Sequence, residues 1–327
     1  MTVENVKESD FMYTKKASLL IHPDELSYKW IDRIAENGIP TLALHPPGGR
    51  NADQTLMDLC ERLEDAEYRK MIDYARGRGI SIEYEMHSAR FLLPKSEFEK
   101  HPEYFRMTRE GERSPDLNCC PSSEAALDII AENAVRLAKR LYGSTNRFFF
   151  WLDDARDGKC HCPKCIGLSA SDQQLMILNR IIKRLRKDIP NASLSYLAYM
   201  ETIAPPTDIK PEDGIFLEYA PFERDFHKPL SDDRQSGYVP ALLDFFGREG
   251  AKALDYWYDN SLFSRWKKPP QPFSVDRDVL CSDFRYYRAL GFSDVGCFAC
   301  FLGGDYEELY GEVDISDFSE AFNKFKQ

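Results

Sequence analysis

Short apolar runs that end in polar residues alternate along this chain with longer stretches whose apolar positions recur at helical spacing. The short runs predict strands at Ser18 to Ile21, Thr41 to Leu44, Ser81 to Met86, Arg147 to Leu152, Ser193 to Ala198, Ile215 to Tyr219, Lys252 to Tyr256 and Asp294 to Ala299. The longer stretches predict helices at Ser27 to Asn37, Tyr68 to Arg78, Glu124 to Tyr142, Asp172 to Lys187, Val239 to Glu249 and Asp278 to Leu290, with a closing helix over Asp314 to Lys326. Glycines at 38, 79, 143, 250 and 291 follow the last helical turns, and Asp172 or Ser171 is placed to cap the helix it opens.

Strands separated by helical returns pair in parallel, and eight of them predict a closed (β/α)8 TIM-type barrel, with an open doubly wound sheet as the alternative. One unit is irregular: the link Glu201 to Gly214 contains Pro205, Pro206 and Pro211, so the helix between the fifth and sixth strands is expected to be irregular or missing. No composition break marks a linker, which predicts one domain over residues 1–327 with 1–16 as an N-terminal extension.

Composition narrows the partners. With 43% hydrophobic and 30% charged residues the chain can bury a large core, and a formal charge of −11 opposes the phosphate attraction on which nucleic-acid binding rests. Met1 to Lys16 mixes acids and bases without an apolar core of signal-peptide length, and no later stretch is apolar enough to span a bilayer. A cytoplasmic protein without membrane or nucleic-acid partners is expected. Nine cysteines, crowded at 119–120 and 160–165, suit reduced thiols or metal ligands better than a disulfide framework.

In barrels of this type the active site lies at the carboxyl ends of the strands. Those ends carry His22 and Asp24, His45, Glu85 and His87, Asp153 and Asp154, Tyr199 and Glu201, Glu218, then Asp255, Tyr256 and Asp259, and finally Cys300. The aromatic fourth strand delivers Asp153 and Asp154 to the mouth with Trp151 just beneath. Two carboxyls in one cleft repel, so one is left neutral beside an ionised partner, as glycoside cleavage requires. The alternative is that one caps the next loop and the other forms a salt bridge. Trp151, Tyr199, Tyr219, Phe222, Tyr256, Trp257, Tyr258 and Trp266 stand near the predicted mouth, and three or four of these flat faces are expected to touch a sugar ring, the rest serving as core.

Cys160, Cys162 and Cys165 form Cys-x-Cys-x-x-Cys, and its second half, Cys162 to Cys165, has the Cys-Pro-x-Cys form of a metal knuckle. Structural zinc takes four ligands, the fourth coming from Cys120, Cys119 or His161. A site closed by thiolates leaves no place for water, so its role is structural, a staple on the acid-bearing loop. The alternatives are free packed thiols or, more remotely, a redox pair at Cys162 and Cys165. No organic cofactor is implied. His22, His45 and His87 end the first three strands, yet strand one lacks His-x-His and strands five to eight end in no histidine. His45 and His87 are therefore read as contacts to substrate hydroxyls, or as buried hydrogen-bonded side chains, not as ligands of a catalytic metal.

The segment Phe148 to Cys165, Phe-Phe-Phe-Trp-Leu-Asp-Asp-Ala-Arg-Asp-Gly-Lys-Cys-His-Cys-Pro-Lys-Cys, resembles an uncharacterised bacterial domain family grouped with glycoside hydrolase barrels. Asn118-Cys119-Cys120-Pro121-Ser122, Ser169 to Gln173 and Asn179 support the resemblance, which covers roughly His45 to Phe301. That family is similar in layout to α-glucuronidases, β-hexosaminidases and O-GlcNAc hydrolases, which place their acid after strand four. The resemblance implies a glycosidase acting on an O-glycosidic bond of a saccharide. By the O-GlcNAc hydrolase pattern, Asp154 is the acid and Asp153 orients a 2-acetamido nucleophile, or the reverse. This chain departs from the Asp-Glu of hexosaminidases, and the characterised enzymes lack its cysteine cluster. In the rival scheme one aspartate faces a later carboxylate, Glu218 first, then Asp259 or Glu201, with a separation of about 5 to 5.5 Å for retention or roughly 6.5 to 9.5 Å for inversion. His45, His87, Trp151, Tyr199, Tyr256, Trp257 and Asp259 are the expected substrate contacts, and Arg50, Arg90, Arg156 and Arg224 would suit a uronic acid carboxylate. A non-catalytic saccharide-binding barrel and an interaction scaffold with a zinc-stapled loop are the alternatives to an enzyme.

Overall fold

The computed structural model describes residues 15–327, so the extension read at 1–16 lies almost wholly outside the described residues. Its last residue, Lys16, already opens the first strand. Eight strands, β1 (Lys16–Ile21), β2 (Thr41–Leu44), β3 (Ser81–His87), β4 (Arg147–Trp151), β5 (Ser193–Ala198), β6 (Ile215–Tyr219), β7 (Lys252–Asp255) and β8 (Asp294–Phe298), pair in parallel in chain order. Pairing of β1 with β8, in the register Lys16 to Asp294, closes the barrel and rules out the open sheet.

The helices are α1 (Tyr28–Glu36), α2 (Ala52–Arg62), α3 (Ala66–Gly77), the short α4 (Ala89–Leu92), α5 (Glu124–Arg140), α6 (Ala170–Asp188), α7 (Val239–Phe246), the short α8 (Asn260–Phe263), α9 (Arg277–Leu290), α10 (Gly304–Tyr310) and α11 (Ser316–Lys326). None among the described residues is long and apolar enough to cross a membrane. Two of the caps read in the sequence are placed differently. Helix α7 stops at Gly247 (φ 84°), ahead of Gly250, and α6 is capped by Ser169, whose side chain accepts the Asp172 N–H while the Asp172 carboxylate returns to the Ser169 N–H. Asp172 is thus the third residue of a capping box, not the cap.

That carboxylate has a second task. Between β5 and β6 the chain carries only the 3-10 turn Met200–Thr202, and Asp172 Oδ1 accepts the backbone N–H groups of Thr207, Asp208 and Ile209 at 2.9, 2.9 and 3.1 Å. A buried carboxylate therefore satisfies backbone donors that a crossover helix would have satisfied internally.

Inside the barrel alternate strand residues stack in layers. At the amino-terminal end Arg147 pairs with Asp294 at 2.7 Å and Glu83 at 3.4 Å. Above it the fully buried Lys252 pairs with Glu85 and, at 3.3 Å, with Glu218, its ammonium 4.5 Å from the Phe149 ring centre. A Cβ on Gly296 would stand 2.7 Å from Lys252 Cε, so only glycine leaves room for this side chain. Burial pushes the Glu85 carboxyl up, opposed by the Lys252 charge. The next layer, Trp151, Leu197, Leu254, Tyr256 and Phe298, is apolar and forms a floor. It is fastened to the charges below by the Trp151 indole, which donates to Glu218 Oε2 at 2.7 Å.

Candidate active site

Above that floor, at the carboxyl ends of the strands, lies a cavity of about 590 Å³. His22, His45 and His87 line it from the ends of β1, β2 and β3, and Asp154 and Asp259 from the loops after β4 and β7. Tyr199, Phe222 and the exposed Trp266 complete an aromatic wall.

The two adjacent aspartates part company. Asp154 is exposed to the cavity and accepts a hydrogen bond from the Tyr199 hydroxyl at 3.0 Å. Asp153 is buried and turned outward, its Oδ1 accepting from Arg90 Nε at 3.0 Å and its N–H donating to Asn118 Oδ1 at 2.9 Å. Burial pushes the Asp153 carboxyl up, and the Arg90 guanidinium pulls it back. Arg90 also donates to the carbonyls of Gly49 and Arg50, so the pair ties together the loops after β2, β3 and β4.

Of the other residues singled out in the sequence, His45, His87, Trp151, Tyr199, Tyr256 and Asp259 line the cavity. Trp257 and Glu218 do not. Trp257 follows the inward Tyr256, so strand alternation sends it outward, where its indole donates to Asp283 at 2.9 Å and stacks on Phe284. Glu218 points inward one layer too deep, beneath Trp151, where it is fully buried and bonded to that indole. Tyr219 and Tyr258 pack in the outer core, so five of the eight mouth aromatics, Trp151, Tyr199, Phe222, Tyr256 and Trp266, line the cavity. The sequence reading gave no binding role to His22, Phe298 or the loop Pro47 to Gly49. His22 and Phe298 stand at strand ends, which was a usable signal; Gly48 is explained only by contact.

A Cβ on Gly48 would meet His87 Cδ2 at 2.7 Å, and that ring is fixed by its Nδ1, 2.5 Å from the Leu152 carbonyl. We expect Gly48→Ala to displace His87 at a cost of about 1–3 kcal/mol and to lower Tm by several degrees. Gly304→Ala, where a Cβ meets nothing within 4 Å, should leave Tm unchanged. Equal melting of the two variants would show that His87 yields freely.

Four thiols converge beside the site. The ligand atoms of Cys120, Cys160, Cys162 and Cys165 all lie within 4.8 Å of one another, in an arrangement that can hold a metal ion. His161 is engaged elsewhere, its Nε2 lying 3.0 Å from Asp157, and Cys119 packs in the outer core. Gln173 of α6 clasps the cysteine loop, accepting the Cys160 N–H at 2.8 Å and donating to the Cys160 and Cys165 carbonyls at 2.9 and 3.1 Å. Asn118, two residues before Cys120, joins this loop to the acid-bearing one by donating to the Gly158 carbonyl at 3.2 Å and accepting from Asp153.

A second convergent group, His22, Glu25 and Cys300, is accounted for by hydrogen bonds between loops: Glu25 accepts the N–H groups of His22 at 3.1 Å and Gly303 at 3.0 Å. Burial pushes the Glu25 carboxyl up to about 7, against these donors. The folded protein then holds the proton more tightly than the unfolded chain, so the resulting stability is full below the ordinary value of 4.5 and is lost as pH rises through about 7. Glu25→Gln should therefore lose less Tm than the parent between pH 5 and pH 8, measured by thermal melts at both; equal losses would contradict this.

An eight-stranded parallel barrel with helical returns and a cavity at its carboxyl mouth belongs to the class of (β/α)8 TIM-type barrels. Residues 53–246 match the family described as Domain of unknown function (DUF4838), and the chain belongs to that family. Its fold is similar to a cold-adapted β-galactosidase from a Rahnella species (TM-score 0.57, 12% identity, covering 96% of this chain and 56% of that one). It is also similar to a β-galactosidase from a psychrophilic Marinomonas (0.53, 9%, 95% and 59%). An O-GlcNAc hydrolase mutant from Thermobaculum terrenum is a third (0.52, 11%, 96% and 59%). The chain thus spans less than two thirds of these structures, and at such identity the likeness is one of fold. No curated protein matches the chain.

Proposed function

We propose that this barrel is a glycoside hydrolase that cleaves an O-glycosidic bond with Asp154 as general acid. The observation that carries the reading is that Asp154, and not its neighbour, is the carboxylate offered to an aromatic-floored cavity by the loop after β4. Asp154 gives its proton to the leaving oxygen as the bond to the anomeric carbon breaks, and a water molecule supplies hydroxide to that carbon and returns a proton to a carboxylate. Asp259 takes the place that the sequence reading gave first to Glu218. It reaches the cavity from the loop after β7, three strands around the barrel from β4. Its Oδ1 accepts from Ser261 N, Ser261 Oγ and Leu262 N, while Oδ2 accepts no hydrogen bond from the described residues. Asp153, held by Arg90, acts as a positioning residue, an arrangement that speaks against its orienting a 2-acetamido group.

Within the same reading, residues 1–327 form one domain, and the four thiols hold a structural zinc ion with no coordination position left for water. Reduced cysteines of this kind fit the cytoplasm. The test is a screen of aryl glycosides with the parent, Asp154→Asn and Asp153→Asn. Turnover lost in Asp154→Asn supports the assignment, and equal turnover in all three overturns it. No turnover, with thermal stabilisation by a sugar, would instead make the barrel a saccharide-binding protein.

A further inference from the structure

The three cavity histidines share one arrangement. Nδ1 of His22 lies 2.8 Å from the His45 carbonyl, Nδ1 of His45 lies 2.8 Å from the Glu85 carbonyl, and Nδ1 of His87 lies 2.5 Å from the Leu152 carbonyl. A carbonyl oxygen can only accept, so each Nδ1 carries a proton, and in a neutral ring the Nε2 is then left as an acceptor. No protein donor among the described residues bonds these Nε2 atoms. Burial and the neighbouring imidazoles hold His45 well below the ordinary histidine range, and burial lowers His22, so these two rings are neutral at pH 7.

The Asp259 carboxylate adds an acceptor, and two hydroxyls beside the acids are spent: Tyr199 donates to Asp154 and Ser261 to Asp259 at 2.5 Å. Several nearby cations are committed elsewhere. Arg90 is on Asp153, Arg156 on Glu223, Lys252 lies beneath the floor, and Arg224 is buried between Asp255 and Asp283 at 2.8 Å from each. Lys268, the cation behind Phe301 at the rim, pairs with Asp305 at 2.6 Å, and no lysine or arginine lines the cavity.

We infer that the cavity takes an uncharged glycone, whose hydroxyl protons are received by the Nε2 atoms of His22 and His45 and by the Asp259 carboxylate, and that it rejects glycones bearing a carboxylate, sulfate or phosphate. An anionic group would find no lysine or arginine to pair with, would face the Asp259 carboxylate, and would leave ring acceptors unpaired. The inference rests on the glycosidase reading for its substrate and deepens it; it removes the uronic acid that the loop arginines suggested, because none of Arg50, Arg90, Arg156 and Arg224 lines the cavity.

The test uses paired probes that differ only at C6: 4-nitrophenyl glucosides and galactosides of both anomers, and the matching glucuronides and galacturonides. Thermal melts with free glucose, galactose, glucuronate and galacturonate provide the binding arm. Hexoside turnover exceeding that of the paired uronide by about 10²-fold or more in kcat/KM is expected. A uronide turned over as well as its hexoside would overturn the charge inference and leave the hydrolase intact. Stabilisation by the neutral sugars alone, without turnover of any glycoside, would uphold the inference and remove the hydrolase. Stabilisation by the uronates alone would overturn it even without turnover.

Discussion

Purified without added metal, the parent protein is expected to carry about one equivalent of zinc, and Cys160→Ser with Cys165→Ser to carry none. The four sulfurs converge within 4.8 Å, close enough for one small ion to bind them all. Such sites supply folding free energy of ~10 kcal/mol or more in isolated zinc-finger peptides. Here the barrel folds around the site, so only the part that orders the loops is at stake. We expect Tm to fall by ~5–10 °C, which for a domain of this size corresponds to a few kcal/mol, and glycoside turnover to fall with it. The coupling runs through Asn118, which precedes Cys120 by two residues and receives the Asp153 N–H at 2.9 Å. Elemental analysis and melts with and without a chelator check this. Less than about half an equivalent of zinc in the parent would contradict the closed thiolate site.

Much of this was legible in the sequence because barrel geometry is written in alternation and spacing. The eight apolar runs became the eight strands with ends shifted by a residue or two, and Cys120 joined the cysteine loop because the loops after β3 and β4 are neighbours in a barrel. What was not legible depends on depth and direction. Glu218 and Trp257 have the right chemistry at the right strand ends, but one sits a layer below the floor and the other on the outward step of the alternation. Adjacent Asp153 and Asp154 could not be separated without Arg90, which lies 63 residues away and claims only one of them. The role of Gly48 came from the closeness of His87, a contact between two loops that no local pattern encodes.

The largest effect on chemistry is expected from Asp154→Asn. An asparagine of the same shape keeps the place beside the Tyr199 hydroxyl but has no proton to give, and loss of a general acid typically costs about 10²–10⁴-fold in rate. Asp153→Asn should act differently. It weakens the pair with buried Arg90 and leaves that guanidinium undercompensated, so stability falls and turnover follows only as far as the loops after β2, β3 and β4 loosen. A melt separates the two: Asp154→Asn should melt within about 1–2 °C of the parent, as exposed substitutions do, and Asp153→Asn several degrees lower.

The dependence of the Asp154→Asn defect on the leaving group tests the central claim most directly. If Asp154 protonates the departing oxygen, the variant should lose about 10²-fold or more on a phenyl or alkyl glycoside, whose leaving group needs that proton, and far less on the 2,4-dinitrophenyl glycoside of the same sugar, which leaves without it. A defect of equal size on both leaving groups, or none on either, would contradict the assignment of Asp154 as the acid.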